Sequence, residues 1–117
     1  MEYLDEIRIS KGTESGIDIE VRLGENWKEA ASKFPIERVD QIFSAHKDLA
    51  RLLGLDVNFR TSPEYGLMGI DFSPDRAGLD LMPGQYSYLS HNIDNSKQAI
   101  VAVAVITDYL KILEAAS

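Results

Sequence analysis

Two carboxylates, Asp71 and Asp80, are flanked by glycines in stretches of alternating polarity, Met68-Gly69-Ile70-Asp71-Phe72-Ser73 and Ala77-Gly78-Leu79-Asp80-Leu81. Glycine carries no side chain to cover a neighbour, so such a pair is open to a basic protein surface or to a hard cation such as Ca²⁺ or Mg²⁺. The competing reading is the ordinary one, because antiparallel sheets commonly keep one solvated face. Asp71-x-Ser73-x-Asp75 opens like a calcium loop, but Pro74 interrupts it, Arg76 replaces the sixth-position glycine and Met82 replaces the terminal glutamate. No metal site is expected.

The chain has two histidines and no cysteine. Thiolate zinc sites, disulfides and cysteine nucleophiles are therefore excluded. His46 lies one helical turn from Ile42 and Ala50 on an apolar stripe, the position of a core histidine that hydrogen-bonds a neighbour. His91, in Ser90-His91-Asn92, follows a strand and precedes a helix start, where the dipole disfavours its protonated form. If the chain holds a small anionic ligand, His91, Asn92, Tyr86, Tyr88 and His46 are the candidate donors. Without a His-x-x-x-His spacing or a third partner, neither a metal cage nor a Ser/His/Asp triad can be argued. Arg8, Arg22 and Arg60 fall at polar strand positions, where they either meet across the sheet with Asn58 to hold an anionic small molecule or pair with Glu6, Asp18, Glu20 and Asp56 as ordinary cross-strand ion pairs. Trp27, the sole tryptophan, is either a helix-to-sheet anchor or a partner contact.

These residues need elements to position them. Ile17, Ile19, Val21 and Leu23 alternate with Asp18, Glu20 and Arg22, which is strand periodicity with one wet face; Ile7 and Ile9 repeat it more weakly, predicting an N-terminal hairpin. Asn26 with Glu29 resembles a capping box, so a short helix is predicted from Trp27 toward Phe34, where Pro35 breaks it. A second helix carries Val39, Ile42, Phe43, Leu49, Ala50, Leu52 and Leu53 and stops at Gly54. Leu55, Val57 and Phe59 alternate with Asp56, Asn58 and Arg60 in a third strand.

Pro74-Asp75 and Pro83-Gly84 each suit the centre of a turn. If Ser73 opposes Arg76 and Met82 opposes Gln85, Ile70 pairs with Leu79 and Leu79 with Tyr88, with Met68, Leu81 and Tyr86 in a second row on the same apolar face. Asp71 and Asp80 then become diagonal neighbours on the opposite face. Asn95 with Gln98 opens a last helix running to about Ala115, apolar around most of its circumference. Val101, Val105 and Ile112 exceed what one covering layer needs, which predicts a homo-oligomer, a dimer being favoured. The expected fold is α+β in one globular domain over residues 1–117: an antiparallel sheet of about six strands with helices on one face, in the order ββααββββα.

The composition sets the function classes. The 117 residues carry 12 Lys+Arg against 19 Asp+Glu, a formal charge of −7. Arg76 is the only basic residue between Thr61 and Lys97, so no basic stripe is available for a phosphate backbone, and direct nucleic-acid binding is not expected. The apolar run from Ala99 to Ile106 is far short of the roughly 20 residues that cross a bilayer. The N-terminal residues lack a signal-peptide pattern, so the expectation is a cytoplasmic protein without membrane contact. With no catalytic motif and no cofactor motif, the first expectation is a small acidic, non-enzymatic interaction protein. It would bind a basic protein partner, in the manner of immunity proteins, antitoxins, phage inhibitors or chaperones, through Asp71, Asp80 and Trp27. The second is a small-molecule binding domain or small enzyme, with a pocket between sheet and helices or at an oligomer interface.

Overall fold

The structure, a computed structural model, describes residues 4–11, 17–23, 27–73, 77–81, 86–88 and 96–116. The first strands, β1 (Leu4–Lys11) and β2 (Ile17–Leu23), pair antiparallel as the alternation requires, with Ile9 opposite Ile19 and a register irregularity between Leu4 and Glu6. α1 (Trp27–Ala31) begins where the capping pattern places it but lasts only five residues; the segment to Phe34 continues as turns.

The predicted second helix is three pieces: a 3-10 turn at Ile36–Arg38, α2 (Val39–Ile42) and α3 (Ser44–Leu52). The break falls at Phe43, whose backbone leaves helical geometry at φ −101° and ψ 24°. Its side chain is fully buried, stacked on Phe34 at 6.2 Å and tilted against Phe59 at 5.1 Å. Core packing of this ring overrides the helical spacing that reads straight through it. The stop at Gly54 is as predicted. At φ +82°, Gly54 donates to Arg51 and Leu55 donates to Ala50 at 2.8 Å, the two bonds of a Schellman closure. That closure turns the chain back so that β3 (Asp56–Ser62) runs beside α3.

β3 pairs with β4 (Gly66–Ser73) and β4 with β5 (Ala77–Asp80), all antiparallel. The β4–β5 register is the one the first turn predicts: Ile70 opposes Leu79 and Gly69 opposes Asp80. β6 (Tyr86–Tyr88) departs from expectation. It pairs with β2, Asp18 opposite Tyr88, so Leu79 and Tyr88 are not ladder neighbours, and the described strands form two three-stranded sheets, β1-β2-β6 and β3-β4-β5, instead of one continuous sheet. β2 has one edge left after pairing with β1, and an open row of backbone donors and acceptors there is what β6 satisfies. With the second helix in pieces, the element order also differs from ββααββββα.

A second correction concerns Met68. The β3–β4 register shifts between Arg60 and Thr61, so that Thr61 opposes Leu67, and Met68 is the extra residue. Such a bulge reverses which side chains face inward. Leu67 is fully buried, and Met68 is only half-buried.

The last helix, α4 (Ser96–Ala116), packs on α1, α3, β2 and β4 and so bridges both sheets. Val101, Ala102, Val105, Ile106, Tyr109, Leu110 and Leu113 form two adjacent buried rows one helical turn apart, joining Val57, Ile70, Phe72 and Leu79 in one core. Covering by two helices and two sheets explains the wide apolar circumference that the sequence suggests. No helix among the described residues is long and apolar enough to cross a membrane.

Candidate functional site

The polar face of β3-β4-β5 carries the candidate carboxylates. Alternation puts Asp56, Asn58 and Arg60 outward on β3, while Val57 and Leu55 are buried. The ladders set Arg60 opposite Gly69 and Gly69 opposite Asp80, giving a three-strand row whose middle member has no side chain. The Arg60 guanidinium lies in that gap: a Cβ built on Gly69 would strike Arg60 Cζ and Nη2, and would sit 2.9 Å from Nε. From there Arg60 Nε donates to Asp71 Oδ2 at 2.8 Å and Nη2 donates to Asp80 Oδ1 at 2.6 Å. Gly78 has the same purpose on the next strand, because a Cβ there would meet Asp71 Oδ1 at 2.7 Å.

Asp71 and Asp80 are therefore diagonal neighbours, as the register predicts, but they are joined through Arg60 and half-buried. The glycines accommodate a guanidinium bridge, and the two carboxylates keep 43% and 47% of their side-chain surface exposed beside it. Burial works against the Arg60 charge, yet the hydrogen bonds to Asp80 and Asp71 more than offset it and raise its pKa further above the ordinary value. At this exposure the two ion pairs contribute little stability, about 0–1 kcal/mol each. Their effect is positional, fixing both carboxylates on rigid strands.

His46 makes a second polar link. From α3 its Nε2 lies 2.7 Å from Asp108 Oδ2 on α4, and the ring stands edge-on to Phe43 at 5.3 Å. Nδ1 is buried with no hydrogen-bond partner among the described residues. With one nitrogen on Asp108 and the other buried, the ring links α3 to α4. Lys111 lies 3.9 Å from the other oxygen of Asp108.

The remaining candidates separate. Trp27 is buried, on an α1 that packs against α4, and stacked with Tyr65 at 6.2 Å, so it is an anchor of α1 and not an exposed contact. Val101 and Val105 are fully buried by their own chain and are unavailable to a second copy; Ile112 is partly buried against the core. Among the described residues the exposed large hydrophobic of α4 is Ile100, at 56%. Tyr86 and Tyr88 are located by backbone pairing alone, on β6 beside β2. His91 and Asn92, like Asp75 of the calcium-like run, lie outside the described residues. No group of three or more metal-ligating side chains occurs among the described residues.

Sequence reasoning missed Arg60 as the centre of the cluster. The available signal was the row Arg60-Gly69-Asp80, legible once β3 is added to the β4–β5 register on the other side of β4. Compared with known proteins, the chain matches no family model, no curated protein and no solved structure.

Proposed function

We propose that this chain is a small acidic, non-enzymatic interaction protein that binds a basic protein partner through the polar face of β3-β4-β5. One observation carries the reading: Asp71 and Asp80, held by Arg60 at 2.8 and 2.6 Å, are fixed carboxylates on a strand face that also carries Asp56. Groups already immobilised lose little conformational freedom when a partner docks, so their charge is available at small entropic cost. The formal charge of −7 adds a long-range field that draws in a basic surface and accelerates encounter. The reading extends to a cytoplasmic setting and to a homodimer, whose contact the enclosed Val101 and Val105 would not supply.

The test is capture by the immobilised chain from an extract of its native host, at low and at high ionic strength, with the bound proteins identified by mass spectrometry. Wild type should retain a basic protein at low salt and release it at high salt. Asp71→Asn with Asp80→Asn keeps hydrogen-bond acceptors for Arg60 and should weaken capture while leaving the melting temperature nearly unchanged. Capture that ignores both salt and the double substitution sinks the proposal.

A further inference from the structure

Beyond the polar sheet face, a cleft of about 300 Å³ opens between α3 and the start of β3, lined by Lys47, Arg51, Asp56, Val57, Asn58 and Ser73. Its volume is at the lower end of the range for small-molecule sites, about 300–1,000 Å³. The fold brings these residues together in three steps. Lys47 and Arg51 are four apart on α3 and so stand on one helix face, one turn apart. The Gly54 closure returns the chain to place Asp56 and Asn58 beside them. The β3–β4 ladder then sets Ser73 directly opposite Asp56.

The chemistry of the lining is uneven. Two cations stand on the helix side; a carboxylate, an amide and a hydroxyl stand on the sheet side. Among the described residues each cation has one carboxylate contact, Lys47 Nζ with Asp40 on α2 at 2.7 Å and Arg51 Nη1 with Asp48 on α3 at 3.0 Å. Neither Asp40 nor Asp48 lines the cleft, and both are well exposed. An ammonium has three donors and a guanidinium five, so one such contact leaves each cation able to donate inward. Lys47 is further held by its position over the Phe59 ring, at 5.8 Å.

We propose that this cleft binds a small hydroxylated anion, its phosphate or carboxylate group between Lys47 and Arg51 and its hydroxyls on Asp56, Asn58 and Ser73. A bare anion satisfies only the helix side and brings its charge toward Asp56. A neutral polyol satisfies only the sheet side. A molecule with both groups matches the lining, and the almost wholly polar wall excludes an apolar ligand. The cleft borders the polar sheet face, sharing Asp56 with it and placing Asn58 opposite Asp71, but it takes in none of Asp71, Arg60 and Asp80 and does not depend on the protein-partner reading.

Calorimetric titration of the purified full chain with glucose 6-phosphate, gluconate, inorganic phosphate and glucose tests this, with amide NMR shifts reporting location. Glucose 6-phosphate or gluconate should bind saturably and move the signals of Lys47, Arg51, Asn58 and Ser73, at least about tenfold tighter than phosphate or glucose alone. Arg51→Gln, at an exposed position, should weaken binding by about tenfold or more, the scale of one charge-assisted hydrogen bond, with Arg51→Lys intermediate. Ser73→Ala should narrow the preference for the hydroxylated anion over phosphate. The proposal is overturned if neither hydroxylated anion binds at millimolar concentration, if Arg51→Gln binds as well as wild type, or if the shifted signals lie elsewhere.

Discussion

Tyr109 fastens α4 to the turn that starts β4, and its removal has a calculable signature. Only 2% exposed, it accepts a hydrogen bond from the Leu67 N–H at 3.1 Å, stands edge-on to Phe34 at 5.0 Å, and lies over Gly66, where a Cβ would meet its hydroxyl at 2.6 Å. Tyr109→Phe keeps the ring but strands the buried Leu67 donor, which costs about 1–3 kcal/mol at neutral pH. A pH dependence accompanies this. Burial raises the phenol pKa from 10.0 to about 12, the Leu67 hydrogen bond working in the opposite direction. Between those values the unfolded chain gives up the proton and the folded chain keeps it, so stability falls as pH rises. From the two pKa values the loss is about 0.4 kcal/mol at pH 10, about 1.4 at pH 11 and about 2.7 in total. Urea unfolding of wild type and Tyr109→Phe at intervals from pH 8 to 11.5 isolates this residue, because every other group titrates in both proteins. The advantage of wild type should shrink by about 0.4 kcal/mol at pH 10 and by about 1.9 at pH 11.5, vanishing or reversing in that range only if it is below about 2 kcal/mol at neutral pH. A difference that stays constant over that range refutes the assigned burial and hydrogen bond.

Much of the fold was legible because its signals are local. Alternation marks β2 and β3, a capping pattern starts α1, Gly54 ends α3, and the β4–β5 register is the one that a two-residue turn inferred from Pro74-Asp75 requires. What sequence did not show depends on partners distant in the chain. Phe43 interrupts a helix because Phe34 and Phe59 enclose it, and nothing in the spacing of Val39, Ile42, Phe43 and Leu49 distinguishes a continuous helix from a broken one. The pairing of β6 was misread for a related reason. Its alternation is compatible with either β5 or β2, and the choice between two free edges is made by tertiary arrangement, not by local pattern.

The site follows the same division. That Asp71 and Asp80 share a face is a consequence of register, and register is readable. That they share a guanidinium depends on β3 adding to the other edge of β4, with Gly69 as the empty centre of the row. A glycine beside a carboxylate thus has two opposite meanings, exposure or close approach, and only the occupant of the next strand decides between them. The helix 4 surplus is resolved by similar reasoning: one helix that contacts two sheets and two helices can be apolar around most of its circumference within a single chain, so Val101 and Val105 do not require a second copy.

Two substitutions test the sheet on which the proposed partner surface rests. Ile70→Ala and Leu79→Ala should each cost about 2–5 kcal/mol in denaturant unfolding, since both side chains are fully buried, and the double mutant should depart from additivity because the two are direct cross-strand neighbours. Gly69→Ala probes the polar face itself. Its φ requires no glycine, so backbone strain contributes nothing; the new methyl instead occupies the space of the Arg60 guanidinium and drives it off both carboxylates. The ion pairs supply little stability, so the loss from their rupture should be only about 1 kcal/mol, while Asp71 and Asp80 lose the guanidinium that joins them. Under the partner reading, capture should then weaken although no charge has been removed, and Arg60→Gln should weaken it in the same way despite making the face more acidic. If Arg60→Gln strengthens capture, negative charge alone governs binding and the fixed geometry of the two carboxylates is irrelevant to it.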